Sequence, residues 1–159
     1  MKIGTVSRVV VGLFTVVALS VSNQSAHGAA TTYKTLKADS LVKISYPAIF
    51  KLPKSGCGKL SVKYILGDLP IDESAFFVVI EDDEEQIVGQ GSWYGTNYEG
   101  SVKAMQKQGT LAIKICRKQW YDSANEQDVF AASKGTYNLM LSAVGEMSSD
   151  VSSTIKLSD

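Results

Sequence analysis

Histidine is nearly absent from this chain. Of 159 residues only His27 carries an imidazole, and it lies in a segment that the sequence marks for removal. The opening Met-Lys-Ile-Gly-Thr-Val-Ser-Arg contains Lys2 and Arg8 and no acid, and an apolar run follows from Val9 to Val21. That run, roughly 13 residues, is the longest apolar stretch present and falls short of the ~20 that a helix needs to cross a bilayer. It leads into small polar residues, and Ala26-His27-Gly28 puts small side chains at the two positions that signal peptidase reads. Residues 1–28 are therefore expected to be a secretory signal, cleaved after Gly28 or, as second choice, after Ala30. Residues 29–159 are expected to form one domain, without a membrane span.

These absences exclude chemistry. A mature chain without histidine has no Ser-His-Asp arrangement, no imidazole general base and no histidine-ligated zinc. Cys57 and Cys116 are the only cysteines, an even number in a chain read as exported, so they are expected to pair. Pairing them removes any thiolate nucleophile. The reading is of a protein that is not an enzyme and carries no cofactor and no metal. Charge excludes less. The whole chain has 16 basic and 16 acidic residues; loss of Lys2 and Arg8 with the signal leaves 14 bases and a net charge of −2. With no block of basic residues there is no electrostatic case for nucleic acid or an anionic membrane as partner, which leaves an unknown protein or glycan.

What the mature chain does contain is alternation with a period of two, the signature of half-buried strands. Val42, Ile44 and Tyr46 alternate up to Pro47. Leu60, Val62, Tyr64 and Leu66 face one way, and Lys59, Ser61 and Lys63 the other. Ala75 to Ile80 is apolar on both faces. Gln86 to Trp93, Leu111 to Ile115, Tyr137 to Ala143 and Val151 to Leu157 continue the pattern, with Gly67-Asp68, Gly109, Lys134-Gly135 and Gly145 at turns. Seven strands, eight if Tyr33 to Lys37 joins, predict an all-β fold, a two-sheet antiparallel β-sandwich with one disulfide; a closed barrel is the alternative.

The stretch Cys57 to Gly91, with Leu-Ser-Val-Lys-Tyr, Phe-Phe-Val-Val-Ile-Glu-Asp and Val-Gly-Gln-Gly, resembles immunoglobulin-like and pre-peptidase-type accessory sandwiches of bacterial exported proteins, as does Gly-Thr-Tyr-Asn-Leu-Met-Leu-Ser-Ala at 135–143. The resemblance implies an architecture and a role in binding or spacing, and it assigns no residue roles. Three departures argue against a true immunoglobulin domain. Pro70 stands where a core tryptophan could follow the first cysteine, Lys114 stands where the corner tyrosine belongs, and both cysteines are out of phase with the core positions of their strands. By parity the disulfide is expected near an edge or on an outer face.

Two long connections, Tyr94 to Gln108 and Arg117 to Lys134, are where such a scaffold would place function. The second has Ser123 three residues before Glu126, a spacing that predicts a helical turn, and Phe130 within it is expected to be buried. Aromatics gather at both: Trp93, Tyr94 and Tyr98 at one, Trp120 and Tyr121 at the other. Exposed together they would form a binding surface for a sugar or a protein; the alternative is that each tryptophan packs into the core. The acidic run Glu81 to Glu85 reads as a solvated turn, with calcium binding as its alternative. The functional expectation is an exported binding or adhesion-type domain. Next stand a carbohydrate-binding module using the loop aromatics, and a structural or inhibitor-like partner of another exported protein.

Overall fold

The computed structural model describes residues 31–70, 74–95, 106–145 and 147–159. The expected signal segment with its cleavage site, and Tyr98, lie outside the described residues. The chain is all-β, with no helix among the described residues. Every strand expected from the alternation is present: β1 (Tyr33–Ala38), β2 (Val42–Pro47), β4 (Cys57–Leu66), β5 (Ala75–Glu81), β6 (Ile87–Tyr94), β7 (Gln108–Cys116), β10 (Gly135–Val144) and β11 (Ser149–Ser158). Three strands of three residues were too short to show a period: β3 (Ile49–Lys51), β8 (Trp120–Asp122) and β9 (Gln127–Val129).

The strands form a four-stranded sheet, β1-β2-β4-β7, a five-stranded sheet, β3-β11-β10-β5-β6, and the β8-β9 hairpin. Their apolar phases meet in one core, where Ile44, Tyr46, Leu60 and Ile113 of the first sheet are fully buried together with Phe76, Ile80, Leu139, Leu141, Ile155 and Leu157 of the second. All pairings are antiparallel except one. β3 lies parallel to β11, so the five-stranded sheet is mixed. The cause is local. Pro47 ends β2, and the chain turns through Ala48 directly into the other sheet, with the Ala48 amide donating to Thr32 O (2.7 Å) and Ala48 O accepting from the Lys156 amide (3.1 Å).

The two larger sheets also approach each other along their long edges, which gives the sides a barrel-like closure. Lys34 of β1 donates through Nζ to Thr154 O of β11 (2.7 Å). On the other side β6 lies against β7, an approach that needs glycine: a Cβ on Gly89 would sit 3.0 Å from Ile115 Cγ1, and one on Gly91 3.0 Å from Ile113 Cγ1. The segment after β9 bridges this edge, its Phe130 amide donating to Ile87 O (2.7 Å) and its Ala132 amide to Cys116 O (2.8 Å).

Two local expectations are corrected. Residues 123–126 form the turn of the β8-β9 hairpin and not a helical turn, because Asp122 Oδ1 accepts from the Ala124 amide (3.0 Å) and Glu126 takes a φ of 53°. Phe130 is exposed; the neighbours Val129 and Ala132 fill the core instead.

The disulfide Cys57–Cys116 is present. The two residues are direct cross-strand partners at the ends of β4 and β7, so the bridge joins neighbouring strands of one sheet, with β7 at the sheet edge, as parity predicted. It encloses β5 and β6, which belong to the other sheet. A closed loop with a sequence separation of 59 residues is worth about 4 kcal/mol in the chain-entropy account.

Candidate ligand-binding face

Alternation assigns half of each strand in the four-stranded sheet to solvent. Along β1 these positions are Tyr33, Thr35 and Lys37, and along β2 Lys43, Ser45 and Pro47. Along β4 they are Cys57, Lys59, Ser61, Lys63 and Ile65, and along β7 Gln108, Thr110, Ala112 and Lys114. Five of these residues are exposed lysines, and no aspartate or glutamate occurs anywhere in the four strands. Among the described residues none of the five takes part in an ion pair. The lysines are scattered in sequence, where they form no block, but are gathered on one face by the pairing of their strands.

The register sets their arrangement. Lys37 lies directly across from Lys43, Lys43 across from Ile65, and Lys59 across from Lys114, with Lys63 between Ser45 and Thr110. With strands about 4.8 Å apart and residues about 3.4 Å apart along them, Lys37 and Lys114 are separated by about 25 Å, and the other three lysines lie within about 4 Å of the line joining them. The charges thus form a diagonal band across the sheet. Tyr33 and Ile65, both more than half exposed, flank it on opposite sides, each about 8 Å from the line on the same spacing. Next to the band, Lys63, Ile65, Gln108 and Thr110 line a shallow open groove over Tyr64 and Gly109. Two of the lysine contacts are direct like-charge pairs, which cost a sheet about 0.2–1 kcal/mol each. Among the described residues, the turns at this end of β1, β2 and β4 carry Asp39 and Asp68.

The four aromatic candidates among the described residues, Trp93, Tyr94, Trp120 and Tyr121, do not form one surface. Trp93 is 9% exposed and belongs to the core, stacked on Phe76 (5.4 Å between ring centroids) and tilted against Tyr64 (6.5 Å). Tyr94 is half-buried on the outer face of the other sheet, edge-on to Phe77 (5.8 Å). Trp120 is half-buried under Lys114, whose ammonium sits 3.9 Å from its ring centroid. Tyr121 is 60% exposed. The two long connections flank β7 in sequence, so they leave from opposite ends of that strand. For that reason the described aromatics separate, with Trp120 at the Lys114 end of the lysine band.

The β8-β9 hairpin that carries this pair is held by a polar cluster. Asp122 Oδ2 accepts from Gln90 Nε2 (2.9 Å) and Asn125 Nδ2 (2.9 Å), and Gln127 Nε2 donates to Gln90 Oε1 (2.5 Å). Burial pushes the Asp122 carboxyl up, but the bonds from Asn125, Gln90 and the backbone amides of Ala124 and Asn125 outweigh it and hold the group below its ordinary value.

The acidic run closes the β5-β6 turn. Asp82 Oδ1 accepts from the amides of Glu84 (3.0 Å) and Gln86 (2.9 Å), so this carboxylate shapes the turn. Among the described residues no three acidic, cysteine or histidine side chains converge as a metal site would require. No protein-family model, no curated protein and no solved structure matches this chain.

Proposed function

We propose that this protein is an exported, non-enzymatic binding domain with an immunoglobulin-like sandwich architecture, and that it binds an anionic ligand on the outer face of the four-stranded sheet. The observation that carries this is the lysine band. A sheet that places two lysine pairs directly opposite each other, with no carboxylate in any of its strands, gives up stability that neutral or acidic residues at the same positions would supply. Such a conflict with local preference is what a binding surface for negative charge requires.

Export is supported by the charged and apolar leader in the sequence and by the disulfide. The sandwich reading is supported by two sheets on one core and by Tyr137 at the start of β10. Its hydroxyl donates to Ser133 O (3.1 Å) and accepts from the Ser133 amide (3.1 Å), a hydrogen bond reaching back four residues like that of a tyrosine corner.

Titration with a fluorescent polyanion such as dextran sulfate tests the reading. The Lys43→Glu/Lys59→Glu protein is expected to lose binding at physiological salt. Lys51→Glu/Lys156→Glu, which changes net charge equally on β3 and β11, is expected to retain it. Equal loss in both would show that net charge and not this face does the binding.

A further inference from the structure

We infer that the ligand of this face is a linear anionic polysaccharide, one chain of which lies along the lysine band from Lys37 and Lys43 past Lys63 to Lys59 and Lys114. The inference rests on the binding reading above and names the class of ligand.

The shape of the charge distribution favours a linear occupant. A planar surface such as an anionic bilayer would be met best by charge spread over the whole face, with apolar side chains among the lysines to enter the lipid. Here the corners away from the diagonal hold Tyr33 on one side and Gln108 on the other, neither of them charged, and the exposed apolar residues Tyr33 and Ile65 lie outside the band as two margins. The strip they border is about 16 Å wide, on the order of a single polymer chain with its substituents.

The residue types favour a saccharide among linear polyanions. Every cation in the band is a lysine, a point charge that lacks the planar fork with which arginine grips phosphates and guanine edges. Single-stranded nucleic acid binds on aromatic platforms that stack its bases. Among the described residues, the aromatic rings that band lysines lie over are Tyr33, at the margin 5.9 Å from Lys63 Nζ, and Trp120, half-buried beneath Lys114. Between the lysines stand Ser45 and Ser61, with Thr110 beside Lys63 at the margin, short hydroxyls that leave the surface flat and can exchange hydrogen bonds with ring substituents. Trp120 has a positioning role: its ring fixes the Lys114 ammonium, which anchors that end of the band.

Oligomers of polygalacturonate of increasing length, a neutral glucan, a single-stranded oligonucleotide and anionic phosphatidylglycerol vesicles are to be titrated against the purified protein. The expected result is binding of the uronate oligomers, with affinity rising until their length matches the ~25 Å of the band, then levelling. That binding should weaken as salt rises and fall at least tenfold in Lys43→Glu/Lys59→Glu, and several-fold in Lys63→Gln. The neutral glucan should not bind. Equal or tighter binding of the oligonucleotide or the vesicles, or an affinity independent of uronate length, overturns the polysaccharide assignment and leaves the anion-binding face standing. Absence of binding to every polyanion, or uronate binding unchanged in both variants, overturns the face itself.

Discussion

Replacing Lys43 and Lys59 by glutamate should make the protein more stable while abolishing its binding. Each lysine faces another directly across a strand pair, Lys37 and Lys114 respectively. Two unit charges about 6 Å apart in water repel by about 0.7 kcal/mol, and a Debye length of about 8 Å at physiological salt roughly halves this. Turning both repulsions into attractions therefore gains about 1.3 kcal/mol, within the range measured for cross-strand pairs. For a domain of this size that raises Tm by about 5 °C. Calorimetry or circular dichroism melts at low, physiological and high salt would read it, since at 1 M the Debye length shrinks to about 3 Å and most of the gain should vanish. A Tm that is unchanged or lower at low salt, or a gain that salt does not diminish, would refute the claim that these lysines are held together against their mutual repulsion.

Four further outcomes follow from the packing. Replacing both cysteines with alanine should lower stability by about 4 kcal/mol, measured by urea denaturation; a loss under about 1 kcal/mol would mean that the enclosed loop is already constrained in the unfolded chain. Trp93→Ala should cost about 3–5 kcal/mol because it empties a stacked core position, whereas Tyr121→Ala at the surface should cost under about 0.5 kcal/mol; similar values for the two would contradict their placement. Tyr46 is fully buried and its hydroxyl has no partner among the described residues, so Tyr46→Phe should be neutral or stabilise by about 1 kcal/mol, and a clear destabilisation in the melt would show that the hydroxyl is bonded. The depressed Asp122 carboxyl contributes stability that is complete above the unfolded aspartate pKa of about 3.9 and is lost as pH falls through its lower folded value. Urea midpoints at pH 5 and pH 3 should accordingly differ less in Asp122→Asn than in the parent, and an equal difference would remove the carboxylate from the account of how the hairpin is held.

Strand content was legible in the residues themselves, because the pleat turns alternate side chains to opposite faces and burial then selects apolar residues every second position. The parity of Cys57 and Cys116 against Leu60 and Ile115 likewise placed the disulfide near an edge or on an outer face before any strand neighbour was known. The short strands β3, β8 and β9 left no such trace, since three residues do not establish a period. Pro47 was readable as a strand end but not as the point where the chain passes from one sheet to the other.

The binding face belonged to neither kind of local signal. Lys59 and Lys63 could be assigned to the polar phase of their strand, and Lys114 to that of another, and the expected disulfide tied the ends of these strands together, yet nothing along the chain says that β4 and β7 pair over their length beside β2 while the two intervening strands join the opposite sheet. The two tryptophans part company for a related reason: Trp93 stands on the inward phase of β6, opposite Phe76, while Trp120 opens the β8-β9 hairpin beneath Lys114. What the sequence determined alone is what local sterics and hydrophobic burial dictate residue by residue. Which lysines share a surface depends on pairings between strands far apart in the chain, and those are decided by the collective packing of one core.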